Sequence, residues 1–367
     1  MAERVVLHVG AMKSGTSALQ SLLFTNAAEL RKQGVLVPGN GFRDQVRAVQ
    51  DVLGTDAVTY IDNVEGAWDA LLRRIEPWSG TAVVSMELLA GCRPHKAAHV
   101  VEMLGDTQVE VVLTVRDLNR NIPAMWQETL QNGKHWTWPQ YLRGVRRGRP
   151  DATDEERAAV RPGPVAKAGR SFWRQQDVSR IARTWTDVVG VDRLTLVTVP
   201  HPGAPRSLLV ERFAEAVGFD LTGLVEAPSR NPSLGAASAQ ALRRLNAALA
   251  EEGLSFPHGR SVRKHVLAKQ LLASHRGEEP AIGLPVADWV HDTSKSMVRS
   301  VQELGVRLVG DWGDLEPVEV PGIDPTTVNA EEEGEATFVG LLGVLKLLMR
   351  QLEGHTATDE PPSAHGA

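Results

Sequence analysis

Val9-Gly10-Ala11-Met12-Lys13-Ser14-Gly15-Thr16-Ser17 is the stretch on which the reading of this chain turns. Before it, residues 4–9 form a short β-branched apolar run of the kind that makes a strand. After it, residues 16–33 carry Leu19, Leu22, Leu23, Ala27 and Leu30 on one helical face, and Gly34 stands where a helix-ending glycine belongs. A loop between strand and helix directs successive backbone N–H groups and the positive end of the helix dipole at one point. That arrangement makes an anion site, to which Lys13 adds a full charge. The pattern is not Walker A, which requires Gly-x-x-x-x-Gly-Lys-Ser/Thr. Here the lysine precedes Gly15 by two residues and Thr16 follows the glycine. Strand, lysine, Ser-Gly-Thr-Ser and helix, in this order, point to a phosphate-type ligand.

Outward from the loop, apolar strand-like runs at 81–86, 109–115 and 193–199 are suited to burial on both faces. They alternate with helical periods at 119–131, 171–189 and 207–217, as βαβ units do. From 236 to about 305 the chain reads as mainly helical, with breaks near 253–257 and 277–285. The expected fold is α/β: one three-layer domain over 1–321, with a central parallel sheet, a P-loop-like anion-binding loop and a helical C-terminal part. Residues 144–169, rich in Pro and Gly, have Arg143, Arg146, Arg147 and Arg149 ahead of Asp154, Glu155 and Glu156, and read as a loop or lid. No motif is legible in 38–63 or 133–170, the loops expected to shape a pocket. Beyond 321 a linker leads to an amphipathic helix over about 336–352 and a disordered polar tail. That helix would dock on the core, on a second copy of the chain to give a homodimer, or on a membrane surface.

Composition narrows the function classes. The 367 residues are 42% hydrophobic and 23% charged, the profile of a soluble globular protein. Forty Lys plus Arg against 45 Asp plus Glu give a net charge of −5, so no global basic field exists to hold a nucleic-acid backbone. The single cysteine, Cys92, argues against a disulfide framework or a multi-Cys metal site and fits a cytoplasmic location. No secretory signal is expected at the start, and the apolar stretch 338–352, interrupted by Lys346 and Arg350, falls short of the roughly 20 residues of a membrane span. His95 and His99 are four apart, but no Glu follows His95 and a third ligand is lacking, so no metal site is expected.

At Lys13-Ser14-Gly15-Thr16-Ser17 the chain resembles the sulfotransferases that use 3′-phosphoadenosine 5′-phosphosulfate (PAPS), whose phosphosulfate loop reads Lys-Ser/Thr-Gly-Thr-Thr/Ser after the first strand. A second signature of that family is a buried strand ending in an arginine that binds the nucleotide's 3′-phosphate. Val111-Val112-Leu113-Thr114-Val115-Arg116 is similar to it, with Arg116 at the arginine. The family's usual serine eight residues later is replaced by Ala124. Arg120, one turn earlier on the same helical face, is a candidate source of replacement charge. The likeness is nearest to a group of bacterial sulfotransferases. It extends over about 4–316 through Phe172-Trp173-Arg174, Asn231-Pro232-Ser233-Leu234 and Gly310-Asp311-Trp312.

The resemblance implies sulfuryl transfer from PAPS to a small-molecule hydroxyl or amine, leaving adenosine 3′,5′-bisphosphate, with no metal required. Lys13 would stabilise the leaving oxygen, and Ser14, Gly15, Thr16 and Ser17 would hold the 5′-phosphate. Asn231 and Ser233 would reach the adenosine or form a turn and helix cap. For the base, the family's small-molecule members place a His just after the strand comparable with 81–86, where this chain has Glu87. Strand ends in open α/β sheets converge on the ligand crevice, so Glu87 is the first candidate. His135, beside Trp136 and Trp138, is the second, and those tryptophans with Phe172 and Trp173 would form an aromatic acceptor wall. Three alternatives remain open. They are a P-loop kinase using ATP, with Glu87 or Asp117 holding Mg²⁺, a nucleotide-binding module without turnover, and a sulfotransferase acting on a carbohydrate or carrier-bound substrate.

Overall fold

The computed structural model describes residues 2–54, 63–226, 233–254 and 259–356. Among them six strands form one sheet: β1 (Arg4–Gly10), β2 (Val35–Leu36), β3 (Thr81–Ser85), β4 (Gln108–Val115), β5 (Leu194–Thr198) and β6 (Arg307–Val309). Their order is β2-β3-β1-β4-β5-β6, and every pairing is parallel. The expected class, α/β with a central parallel sheet, is the one observed. The four strands legible as apolar runs end within one residue of where the sequence placed them. β2 and β6 are too short to carry a pattern.

In chain order the helices are α1 (Thr16–Thr25), α2 (Ala27–Lys32), α3 (Phe42–Leu53), α4 (Ala67–Ile75), α5 (Pro94–Glu102), α6 (Leu118–Gln131) and α7 (Trp138–Arg147). They continue with α8 (Asp154–Ala158), α9 (Pro164–Gln176), α10 (Val178–Val189), α11 (Ser207–Val217), α12 (Ala236–Glu251), α13 (Asp288–Leu304) and α14 (Ala330–Thr356). Strand side chains alternate between two cores, as period two requires. Val5, Leu7 and Val9 of β1 join one core with side chains of α3, α4, α5 and α10. Val6 points to the other, built with Leu19 and Leu23 of α1, Leu30 of α2 and Phe213 of α11. Burial on both faces explains why β1 and β4 read as continuous apolar runs rather than as alternating ones.

Several helices depart from the sequence reading. Residues 16–33 are two helices, because buried Asn26 spends its amide on Leu22 O, Val225 O and Val225 N. Residues 171–189 belong to two as well: Asp177 ends α9 and caps α10, accepting from Arg180 N at 3.0 Å. The stretches taken as pocket loops hold α3, α7, α8 and the start of α9. In the supposed lid the acidic patch forms a capping box at Thr153 and Glu156, and Arg149 pairs with Glu156 at 2.8 Å. Phe172 and Trp173 pack inside the fold, the latter donating to Val145 O at 2.7 Å. Trp136 and Trp138 are likewise buried.

The chain separates into two compact units. Met1–Met125, Pro139–Arg230 and Pro285–Val320 make the first, which contains the sheet. Trp126–Trp138, Asn231–Leu284 and Pro321–Ala367 make the second, so residues beyond 321 share a unit with two earlier segments. Within this second unit Lys264 is buried against Glu128 at 3.0 Å and Asn132 at 2.6 Å. Ala237 and Ala241 of α12 pack on Ala336 of α14, and a π-helical segment, Ser261–Leu272, lies along α14.

Candidate functional site

The sheet order changes direction at β1: the chain goes from β1 to β2 on one side, returns through β3, and then lays β4 on the other side. Crevices at such switch points, outside the carboxyl ends of the strands, are where open α/β sheets bind ligands. Register brings three of these ends together. His8 stands opposite Ser85 of β3 and Val112 of β4, so the loop after β1, Glu87 after β3 and Arg116 after β4 emerge side by side.

The loop itself is built from left-handed backbone. Lys13 has φ 65° and Gly15 φ 82°, with Ser14 between them on the ordinary side. Alternation of this kind is the backbone pattern of an anion-binding nest. The left-handed φ favours glycine at 15, and a Cβ there would also push aside Leu209 Cδ2, 2.4 Å away. Gly10, at φ 121°, lets Glu87 approach: a Cβ on Gly10 would lie 3.3 Å from Glu87 Cα. Lys13 is half-buried, Thr16 is buried and Ser17 is exposed on the first turn of α1. The Ser14 side chain, in contrast, points inward. Its hydroxyl lies 2.6 Å from Ala11 O and 2.6 Å from Thr114 Oγ1, so any contact of Ser14 with an anion falls to its backbone N–H.

Beneath the loop lies a residue the sequence reading passed over. His8 is fully buried, with Nδ1 2.7 Å from Ser85 Oγ, Nε2 3.1 Å from Thr114 Oγ1, and its ring 4.9 Å from Phe213. With Nε2 protonated, Ser85 donates to Nδ1 and Nε2–H to Thr114, whose hydroxyl donates to Gly10 O at 3.0 Å, while Ser14 donates to Ala11 O. The relay crosses three strands and ends at Gly10, where the Lys13 loop begins. Burial pushes the imidazole from 6.5 down to about 3, so His8 is neutral in the folded chain at pH 7. The unfolded chain takes up this proton below about pH 6.5, whereas the folded chain refuses it until about pH 3. Acidification through that window therefore costs up to about 1.4 kcal/mol of stability per pH unit. Urea-unfolding free energies from pH 7 to 4 should fall less steeply for His8→Gln than for wild type, and equal slopes would show that His8 does not titrate there.

Glu87 opens a 3₁₀ turn, Glu87–Gly91, directly after β3. Its Oε2 accepts from Gln20 Nε2 at 2.6 Å, and the same Gln20 nitrogen lies 3.3 Å from Ser85 O. Gln20 is a polar residue among the buried leucines of α1, Leu19, Leu22 and Leu23, which is the signal that could have marked it. On the other side, Gln176 at the end of α9 donates to Met12 O at 2.9 Å and accepts from Asn121 at 2.8 Å. Arg174 donates to Gly91 O at 2.9 Å. The Phe172-Trp173-Arg174 helix thus braces both the anion loop and the turn that carries Glu87.

Arg116 extends from β4 with Nη1 3.5 Å from Lys13 O, and its buried Nε has no partner. Apolar side chains, Val115, Leu118, Val178 and Met297 among them, line the cleft behind it. That burial, and secondarily the charge on Arg120, lower the guanidinium to about 10, against the opposing pull of Asp117. A partly dehydrated cation with an unpaired donor is a candidate partner for an anion. Arg120 is otherwise engaged. It is buried against Asp117, with Nη1 3.1 Å from Pro200 O and Nη2 3.4 Å from Val199 O, and it would have to leave these partners to meet a phosphate.

The remaining candidates belong to the second unit or fall outside the described residues. His135 and Ser233 belong to the second unit, both exposed, with Ser233 Oγ accepting from Arg276 at 3.4 Å. Asn231 falls outside the described residues. Among the described residues no group of three or more His, Cys, Asp or Glu is placed to hold a metal, and no helix is long and apolar enough to cross a membrane.

No family model matches the sequence, and no curated protein matches it. Among solved structures, the crystal structure of a sulfotransferase from Alicyclobacillus acidocaldarius aligns at 15% identity, covering 71% of this chain and 94% of that one, with a TM-score of 0.38. At that distance the functional question rests with the residues of the site.

Proposed function

We propose that this chain is a sulfotransferase that moves a sulfuryl group from PAPS to a hydroxyl or amine of a small-molecule acceptor. The observation that carries the reading is the convergence of the Lys13 loop, Glu87 and Arg116 at the carboxyl ends of three adjacent strands. Sulfuryl transfer, like phosphoryl transfer, proceeds through a loose in-line transition state, so positioning and charge do most of the catalysis. In this reading the backbone N–H groups of residues 14–17 hold the 5′-phosphate of the donor. Lys13 offsets charge on the bridging oxygen as it leaves, and Arg116 pairs with the 3′-phosphate through the donors the fold leaves open. Glu87, steadied by Gln20, takes the proton of the acceptor on the opposite side of the sulfur. His135 remains the second candidate for that proton. A kinase would ask Glu87 or Asp117 to hold Mg²⁺, but Asp117 is buried and accepts from Arg120, which favours the sulfotransferase.

The test is a comparison of ligand-induced melting shifts. Adenosine 3′,5′-bisphosphate should stabilise the chain more than ATP with Mg²⁺ does, and the reverse order would replace this reading by the kinase. Arg116→Ala refines it. Charge-assisted hydrogen bonds of this type are worth roughly 1.5–3 kcal/mol, so the variant should bind the bisphosphate about 10–100-fold more weakly and adenosine 5′-phosphate nearly as well as before. Equal losses for both nucleotides would make Arg116 a structural residue.

A further inference from the structure

Helix α14 is mounted the wrong way round for a helix that serves only its own fold. Its small residues face inward: Ala336 packs on Ala237 and Ala241, while Gly340 and Gly343 let Leu267 and Leu271 approach closely. Its large residues face out. Of the eleven large hydrophobic side chains exposed among the described residues, seven are on this one helix. Phe338, Leu341, Leu345, Leu348 and Leu352 follow one another at steps of three, four, three and four, the spacing of a coiled-coil seam.

We propose that α14 pairs antiparallel with the α14 of a second copy of this chain. Charge sets the direction. Glu331, Glu332 and Glu335 are exposed in the first turns, and Glu333 beside them is held by Arg244 at 2.9 Å. No Lys or Arg occurs on the helix before Lys346 and Arg350, and the next acid after Glu335 is Glu353. A parallel pair stacks acid on acid and base on base, whereas an antiparallel pair brings Glu335 of one copy beside Arg350 of the other. The seam closes in the same orientation, with Phe338 over Leu348 of the second copy and Leu341 over Leu345, each layer repeated by the two-fold axis. A membrane surface fits less well. Helices that lie on anionic lipid carry Lys and Arg along the polar face, and this one begins with four glutamates.

Sedimentation of the full chain should give a dimer, and Leu345→Glu should weaken it at least about 100-fold, because a carboxylate in an apolar layer loses its hydration. Leu345 is 47% exposed, so the variant should keep the wild-type far-UV circular dichroism and lose only the melting stability that pairing adds. Orientation is read by cross-linking. In this register position 342 lies within about 3 Å, along the axis, of its counterpart, and position 352 about 27 Å from its own. Cys92 is buried, so a short bismaleimide should link Leu342→Cys and leave Leu352→Cys unlinked. Equal linking of both variants would mean a parallel pair. A chain that stays monomeric at all concentrations, or a monomer captured by phosphatidylserine vesicles through this face, would overturn the proposal.

Discussion

Lys13→Ala is expected to lower the turnover of sulfuryl transfer by about 10²–10³, the usual cost of removing one preorganised group from a developing negative charge. Affinity for adenosine 3′,5′-bisphosphate should fall much less, since the backbone amides of the loop remain. Alanine is the informative replacement. At φ 65° it bears the same left-handed penalty as lysine, so the difference between the two proteins reports the ammonium group and not the backbone. Lys13→Arg, which keeps the charge but spreads it over a plane, should recover part of the loss. An unchanged rate in Lys13→Ala would remove the lysine from the chemistry.

Glu87→Gln should cost about 10² or more in turnover while binding of the bisphosphate stays near wild type. The substitution keeps the shape, and the new amide oxygen can still accept from Gln20, so the effect isolates the loss of a proton acceptor. One assay with PAPS and a panel of phenols, sugars and amines, run with and without EDTA on both proteins, also addresses the kinase. Sulfation that resists EDTA in wild type and is lost in the variant supports the proposed mechanism. Full sulfation by Glu87→Gln would transfer the role of base to His135, and activity abolished by EDTA in wild type would point to a metal-dependent transfer.

What sequence alone could determine was whatever is written locally. The strand, loop and helix around Lys13 were legible because they are consecutive in the sequence, and the central strands because burial on both faces leaves an unbroken apolar run. Arg116 and Glu87 became candidates mainly through the resemblance, and the structure adds that parallel pairing sets the ends of their strands on either side of β1. Helix breaks at Asn26 and Asp177 were not legible, since whether a polar side chain continues a helix or caps it depends on partners such as Val225, about 200 residues away. Arg120 read as available charge until the fold supplied Asp117 and two distant carbonyls to hold it. His8 looked like one more residue in an apolar strand, and only parallel pairing on both sides of β1 brings Ser85 and Thr114 to its ring. The outward seam of α14 was visible as a periodicity, but which face of that helix is left uncovered was decided by packing. Periodicity states that a helix has two unlike sides, and it takes the rest of the chain, folded around the small-residue side, to settle which of them meets water.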